Sequence, residues 1–189
     1  MRLPWTSIEN YTFYNCRSLI SIDIPENVTS IGSNAFYYCS SLTSVVIPDS
    51  VTSIHSSAFL GCSSLTSIVI GKGVKLIGSG AFMGCSSLTT VICRAEELPE
   101  FGWGIFEYVW TSEATLYVPA SALEAYKAAY PWKEFGTILP LAGDADGIGS
   151  PALQDKTDNA SYYTLDGKSV TTPTRKGIYV RNGKKTIVK

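Results

Sequence analysis

Residues 51–73 read VTSIHSSAFLGCSSLTSIVIGKG, and the same pattern recurs every 23 residues on both sides of this stretch. Four residue types keep the interval: Ile8, Ile31, Ile54 and Ile77; Phe13, Phe36, Phe59 and Phe82; Cys16, Cys39, Cys62 and Cys85; and Leu19, Leu42, Leu65 and Leu88. Residues 1–96 therefore contain four 23-residue repeats, which occupy 5–27, 28–50, 51–73 and 74–96. A fixed period of this length predicts a solenoid, in which each repeat forms one coil and buries its apolar side against its neighbours.

The second half of each repeat predicts a strand. It contains Leu-x-x-Val/Ile-x-Ile, the motif that is typical of the strand in a leucine-rich repeat. Because side chains alternate along a strand, Val45 and Ile47 are expected to point inward, and Ser44 and Val46 outward. A helical turn is expected to place Phe59 between successive coils. The predicted fold is a leucine-rich-repeat solenoid, with a ladder of parallel β-strands and short helical turns.

Cys62 and the single histidine, His55, are the two residues that a catalytic interpretation would use. Cysteine, however, recurs at the same place in every repeat, which favours a column of small buried side chains instead. Disulfides along the column are the alternative, but the odd total of five cysteines favours free thiols. No spacing matches a zinc site. The sequence therefore predicts no catalytic residue, no metal and no cofactor, and the protein is not expected to be an enzyme.

Composition and charge exclude several classes of function. No apolar run reaches the roughly 18 residues that a membrane-spanning helix needs, and the chain does not open with a signal-peptide pattern. The formal net charge of −1 combines an acidic body with a basic tail, because residues 161–189 carry seven Lys or Arg and one acid. Residues 1–160 carry eight basic and fifteen acidic residues, so nucleic-acid binding is not indicated.

Residues 94–140 are predicted to form an α-helical and β C-terminal cap that covers the last repeat. Leu116-Tyr-Val-Pro119 is interpreted as a final strand, and Ser121-Ala-Leu-Glu124 as a capping box that opens a helix ending near Tyr130. Five apolar residues would supply the lid: Leu123, Tyr126, Trp132, Phe135 and Ile138. A second aromatic group either packs in the same lid, which is the favoured interpretation, or contacts a carbohydrate or protein: Phe101, Trp103, Phe106, Tyr108 and Trp110.

Residues 141–161 are interpreted as a linker, in which Asp144-Ala-Asp146-Gly147 lacks most ligands of a calcium loop. Residues 162–189 contain Asp166-Gly167 and Asn182-Gly183, pairs that favour two-residue hairpin turns. They predict a small antiparallel β module of four strands. At the other end, repeat register begins at Trp5. Either the open end pairs with another molecule, or the chain is a truncated form of a longer secreted precursor, which is the favoured interpretation.

The repeat VTSIGSNAFYYCSSLTSVVIPDS (28–50) resembles the BspA-like leucine-rich repeats, which are found largely on surface and secreted proteins of anaerobic gut and oral bacteria. LYVPASALEAYKAAYPWKEFGTI (116–138) is similar to the closing segment of that family. The resemblance implies adhesion or protein binding at the outer cell surface or outside the cell, without catalysis. In residues 162–189, YYTLDGKSV and KGIYVRNGKKTIVK are similar to type IX sorting segments, which implies a role in export or contact with the outer cell surface.

The predicted partner-binding surface is the outward face of the strands. It has a hydroxyl column and a second, mostly apolar column: Ser21, Ser44, Ser67 and Thr90, and Asp23, Val46, Val69 and Ile92. Exposed branched apolar residues in a row favour a protein or glycoprotein partner, with host extracellular matrix among the candidates. The alternative for this face is that the residues simply favour β-structure. The alternative for the whole chain is a structural spacer whose tail serves export or attachment.

Overall fold

The computed structural model describes residues 6–141 and, as backbone only, four strands between residues 162 and 188. The chain divides into two units, residues 1–150 and residues 151–189. The strands of the first unit are, in chain order, β1 (Ser7–Ile8), β2 (Ser30–Ile31), β3 (Ser44–Ile47), β4 (Ser53–Ile54), β5 (Ser67–Ile70), β6 (Leu76–Ile77), β7 (Thr90–Cys93), β8 (Glu100–Phe101), β9 (Thr115–Val118) and β10 (Thr137–Pro140).

These strands form two parallel sheets, with the orders β1-β2-β4-β6-β8 and β10-β9-β7-β5-β3. Equivalent residues of successive repeats are paired, as Ser44 is with Ser67 and Ser67 with Thr90. The 23-residue period is therefore the register of the ladder, and the predicted solenoid of parallel strands is confirmed. Both sheets continue past residue 96, because β8 pairs with β6 and β9 pairs with β7. We call residues 97–119 the fifth coil.

The core between the two sheets contains a column of phenylalanine rings, one from each coil. Phe36 and Phe59 stack at 4.9 Å between centroids with an interplanar angle of 5°, and Phe59 and Phe82 follow at 5.5 Å. The column ends with Phe82 and Phe106 at 5.7 Å, where the step is 24 residues instead of 23. Phe106 then meets the edges of Trp132 and Phe135. Stacking of this kind explains why phenylalanine recurs in every repeat.

The first coil is less buried than the others. Phe13 and Leu19 are only partly buried, and Cys16 is exposed, whereas Cys39, Cys62 and the other cysteines of the chain are buried. The prediction of a buried cysteine at every repeat is therefore wrong for Cys16. The reason is geometric, since each side chain of the column is covered from both sides by neighbouring coils, and the described residues supply the first coil with one neighbour only.

In three coils, a glycine at the same place approaches the backbone of the preceding coil closely. A Cβ added at Gly78 would lie 2.5 Å from the Ser56 nitrogen and 2.7 Å from the His55 carbonyl carbon. A Cβ at Gly102 would meet Ser79 at comparable distances. His55 occupies the equivalent place in the third coil, and its side chain is exposed.

Gly78→Ala is expected to lower the free energy of unfolding by about 1–3 kcal/mol, because backbone atoms of the preceding coil must move to admit the new methyl group. His55→Ala, at the equivalent place one coil earlier, removes an exposed side chain and should change stability by less than about 0.5 kcal/mol. Urea unfolding followed by far-ultraviolet circular dichroism measures both. Equal stability of the two variants would contradict the assigned stacking.

After β9, the chain forms a short 3₁₀ turn (Ala120–Ala122), the helix α1 (Leu123–Ala128) and a second 3₁₀ turn (Trp132–Glu134). The predicted capping box is wrong, because no side chain caps α1 and Ser121 lies inside the preceding turn. The Glu124 carboxylate instead accepts a hydrogen bond from Lys127 Nζ at 2.9 Å. None of the helices in residues 6–141 has the length and apolar content that crossing a membrane requires.

Of the five residues expected to form the lid, three are buried, namely Tyr126, Trp132 and Phe135, and Leu123 and Ile138 are partly buried against the core. Their burial follows from the edge contacts of the aromatic rings, which close around Phe106. The naming of residues 94–140 as a cap stays a prediction.

The second unit contains β11 (Tyr162–Thr164), β12 (Ser169–Val170), β13 (Gly177–Arg181) and β14 (Lys184–Val188), in the antiparallel order β12-β11-β13-β14. The predicted turns at Asp166-Gly167 and Asn182-Gly183 lie outside the described residues. So do the linker beyond residue 141, which includes the Asp144-Ala-Asp146-Gly147 stretch, and Met1–Trp5.

Candidate functional site

The buried thiols bind backbone carbonyl groups of the preceding coil. Cys39 Sγ donates to the Phe13 carbonyl at 3.1 Å, and Cys62 Sγ donates to the Phe36 carbonyl at 3.2 Å. Cys85 repeats the contact one coil later, at 3.3 Å. Each thiol therefore satisfies a carbonyl oxygen inside the core, which is a structural role.

Burial also keeps these thiols protonated. It raises the pKa of Cys39 to about 11 and the pKa of Cys85 to about 12, and it raises the pKa of Cys62 further in the same direction. A nucleophilic cysteine needs the thiolate form and access to substrate. Cys62 has neither, and His55 is exposed to solvent while Cys62 is fully buried. The structure therefore does not assemble a catalytic pair from these two residues.

Cys93, the fifth cysteine, makes a different kind of contact. Cys93 Sγ lies 3.2 Å from the Tyr126 hydroxyl, and that hydroxyl donates to the Ala95 carbonyl at 3.0 Å. Burial raises the pKa of the Cys93 thiol, so the group is uncharged near neutral pH. The contact ties α1 to the end of β7. Within residues 6–141, no three His, Cys, Asp or Glu side chains are grouped so that they could hold a metal ion.

The strand face that sequence analysis selected is only partly open. Ser21 and Asp23 are exposed, and the hydroxyl residues Ser44, Ser67 and Thr90 are half-buried. In the second column, Val46 is 45% exposed, but Val69 and Ile92 are only 3% and 1% exposed. The expectation that both would lie open to solvent is therefore wrong.

The position of each residue in the sheet accounts for the difference. Val69 and Ile92 are in register with each other and are flanked by Val46 on one side and Tyr117 on the other. An inner strand has an apolar neighbour about 4.8 Å away on both sides, whereas the edge strand that carries Val46 has one. The open apolar part of the strand face thus reduces to Val46 and, on the other edge, Leu139.

The fifth coil carries a more prominent exposed group. Trp103, Tyr108 and Trp110 are 72%, 75% and 67% exposed. Of the second aromatic group, which was expected to pack in the same lid, Phe106 alone is buried, and Phe101 is 38% exposed. The lid interpretation is therefore wrong for these three side chains, which stand in solvent because they leave the coil at its turns. We call Trp103, Tyr108 and Trp110 the aromatic ridge.

The ridge stands where the fourth coil has small residues. The 24-residue step that stacks Phe106 on Phe82 aligns Trp103 with Ser79. The backbone N–H of Trp103 donates to Ser79 Oγ at 3.2 Å. By the same step, Tyr108 aligns with Gly84 and Trp110 with Ser86. Three places that hold serine or glycine in the fourth coil thus hold large aromatic side chains in the fifth.

The backbone at one of these places adopts the left-handed conformation. Gly61 and Gly84 have φ of 72° and 71°, and the equivalent Tyr38 and Tyr108 have φ of 54° and 59°. A bulky residue is uncommon in this region and costs on the order of 1–3 kcal/mol, so its presence points to a function. Tyr38 lies directly over Gly61, whose missing Cβ would approach the ring to 3.0 Å.

Tyr38 and Tyr108 border a shallow groove of about 420 Å³ on the turn side of the coils. Its lining also includes Gly61, Gly84 and Arg17. Two serines and the apolar residues Leu60 and Met83 complete it, so the groove can hold an extended segment of mixed polarity between two tyrosines. The groove is not apparent from the sequence, because it depends on how the turns of several coils align.

A sequence model of the BspA type leucine rich repeat region matches residues 6–130 in six copies. Among solved structures, the chain is similar to a leucine-rich repeat protein of T. pallidum, with 26% identity and a TM-score of 0.57, over 73% of this chain and 65% of that one. It is also similar to a leucine-rich cell surface protein of Faecalibacterium prausnitzii A2-165, with 28% identity and a TM-score of 0.52, over 87% of this chain and 42% of that one. No curated protein matches.

The chain therefore spans less than two thirds of the length of either of these proteins. The likeness extends over most of the coils described above, and the six matched copies include the fifth coil with its aromatic ridge. The function of a longer relative as a whole is therefore not assigned to these coils.

Proposed function

The chain belongs to the BspA type leucine-rich repeat family, and from this premise we propose that it is a non-catalytic binding module for a protein or glycoprotein at the outer cell surface or outside the cell. Leucine-rich repeat proteins generally bind proteins, and one similar structure is a cell surface protein. The observation that carries the proposal is the exposure of Trp103, Tyr108 and Trp110 on one coil.

The energetics of exposed aromatic side chains support this interpretation. Tryptophan and tyrosine are enriched at the residues that dominate binding energy, since each buries a large area while losing little side-chain freedom. A folded monomer gains nothing from holding Trp103 and Trp110 in water. Their exposure becomes favourable when a partner covers them, and we therefore propose the aromatic ridge and the adjoining groove as the main binding surface.

The strand face is the second proposed surface. Its hydroxyl column (Ser44, Ser67 and Thr90) is half-buried and Asp23 is exposed, so polar contacts remain available there. Its open apolar part consists of Val46 and Leu139 at the two edges, because Val69 and Ile92 are covered. A partner that bound this face would gain less apolar area than one that bound the ridge.

The basic tail is the part of the chain that we propose for export or for attachment to the outer cell surface. Residues 161–189 carry seven basic residues and one acidic residue, and their similarity to sorting segments supports a role in export or attachment. Anionic groups of an outer cell surface would attract such a segment over about one Debye length, roughly 8–10 Å at physiological ionic strength. The spacer function, in which only the tail is active, is the alternative to this arrangement.

Replacing Trp103 and Trp110 together by alanine is expected to weaken partner binding at least about tenfold, because exposed tryptophans are the strongest candidates for dominant contacts. The measurement is surface plasmon resonance against a panel of purified extracellular-matrix proteins, with each variant immobilised at equal density. Both side chains are exposed, so the free energy of unfolding should stay within about 0.5 kcal/mol of that of the parent protein.

The variant that combines Val46→Ser with Leu139→Ser is the matched control, since it removes both exposed apolar side chains of the strand face and leaves the ridge unchanged. Val46→Ser is the corresponding single substitution. Loss of binding in either of these variants with full binding in the tryptophan variant would contradict the ridge and assign the site to the strand face. Absence of binding to every panel member would contradict a matrix partner.

A further inference from the structure

A cavity of about 300 Å³ opens beside the aromatic ridge. Its walls include four aromatic residues, of which Phe101, Trp103 and Tyr130 are exposed and Phe106 is buried. The rings of Phe101 and Tyr130 lie 6.3 Å apart at an angle of 58°. The volume is at the lower limit for small-molecule sites, about 300–1,000 Å³, and it suits one side chain or a comparably small group.

The charged groups of this cavity are all acidic. Its lining contains Glu107 and Glu134, and no lysine, arginine or histidine. The surrounding sequence has the same bias, because residues 94–141 contain seven glutamates and three basic residues. A cation that enters the cavity therefore meets aromatic faces and negative charge together, and no fixed cation opposes it.

Glu107 supplies the most specific observation. Its Oε2 atom is buried, and no hydrogen-bond donor in residues 6–141 reaches it. Gly104, at φ of 66°, makes room for this oxygen, because a Cβ at residue 104 would lie 2.9 Å from it. A buried carboxylate oxygen without a partner costs free energy, on the order of 1–3 kcal/mol or more for a charged group. A ligand that donated a hydrogen bond to this oxygen would remove that cost.

From these three observations we infer that the cavity binds the guanidinium group of an arginine side chain presented by the protein partner. Guanidinium is planar and weakly hydrated, so it stacks on aromatic rings and donates to carboxylates at the same time. Lysine offers the same charge with stronger hydration and without the planar face, and it is expected to bind more weakly. The inference rests on the proposed function, because it specifies which side chain the partner of the ridge inserts into the cavity.

The test uses a peptide pair that differs in charge alone. The probes are Ac-Gly-Arg-Gly-NH2 and the same peptide with citrulline, whose neutral urea group has the shape of guanidinium. Titration is followed by ¹⁵N–¹H spectra of the tryptophan indoles at low ionic strength, and the Trp103 signal is assigned by its loss in Trp103→Phe. We expect the arginine peptide to shift this signal and the citrulline peptide to bind at least about tenfold more weakly, as loss of the cation–π and ionic contacts requires.

Glu107→Gln keeps the shape of the cavity wall and removes its charge. This substitution is expected to lower the affinity for the arginine peptide at least about fivefold, since a charge-assisted contact becomes a neutral one. Glu124→Gln is the control, because Glu124 is an exposed glutamate on α1 that is already paired with Lys127 and does not line the cavity. It should leave peptide affinity within about twofold, as expected for a distant surface charge.

Equal binding of the two peptides, or unchanged affinity in Glu107→Gln, would overturn the inference. Its failure is separable from that of the proposed function. Ridge-dependent binding of a matrix protein without any peptide response would remove the arginine site and keep the binding module. A charge-dependent peptide response without ridge-dependent binding to matrix proteins would keep the arginine site and remove the proposed matrix partner.

Discussion

Phe59→Ala is expected to lower the free energy of unfolding by about 3–5 kcal/mol, which is a large share of the total stability of a domain this size. Phe59 is fully buried, and its ring stacks on Phe36 at 4.9 Å and on Phe82 at 5.5 Å. Truncation leaves a cavity between two rings that are held by their own coils, so the column cannot collapse to fill it. Urea unfolding of the two proteins measures the difference.

Phe13→Ala is the matched control for this prediction. Phe13 has the same place in the first coil, but it is only partly buried and stacks on Phe36 alone, at 5.0 Å. Its truncation should cost about half as much as that of Phe59, because less area returns to water and no enclosed cavity forms. Equal losses in the two variants would contradict a continuous stacked column.

Stability is expected to fall steeply as the pH rises above about 9. An unfolded cysteine loses its proton near pH 8.5–9, whereas burial keeps the folded Cys39 and Cys85 protonated up to pKa values of about 11 and about 12. Between these limits the folded state binds more protons than the unfolded state, so the free energy of unfolding decreases with pH. Each buried thiol contributes about 1.4 kcal/mol per pH unit, and the effect is absent below the unfolded pKa.

The measurement is urea unfolding at several pH values between 8 and 11, under reducing conditions, and the quantity of interest is the slope of stability against pH. Cys85→Ala removes one buried thiol and should reduce the slope by about 1.4 kcal/mol per pH unit. Cys16→Ala, which removes the exposed thiol of the first coil, is the matched control. A slope that responded equally to both substitutions would contradict the burial assigned to the column.

The repeat period made most of the fold predictable. A 23-residue interval fixes which residues of successive coils are neighbours, and the register of Ser44 with Ser67 follows that interval directly. The same argument predicted the buried cysteines, because a residue at an equivalent place in every coil has an equivalent environment. It fails for Cys16, since the first coil lacks a described neighbour on one side and periodicity carries no information about ends.

The candidate site was less predictable, and the reason differs between its two surfaces. On the strand face, alternation predicted that Val69 and Ile92 point away from the core, but direction does not determine what covers a side chain. On the turn side, the equivalent Ser79 and Ser86 of the fourth coil are exposed, so the period places Trp103 and Trp110 in solvent, whereas their apolar character favoured the lid interpretation. The signal was nevertheless present, because these residues replace serines of the earlier coils.

The left-handed position at the turn of each coil has a consequence for how this protein can vary. Asn15, Tyr38, Gly61, Gly84 and Tyr108 share this conformation, with φ between 54° and 72°. The chain follows one path whichever side chain is attached, so each coil can exchange its outward residue without disturbing the register inside. The turn side is thus a set of interchangeable display positions, in which recognition can be rewritten one coil at a time while the interior stays as it is.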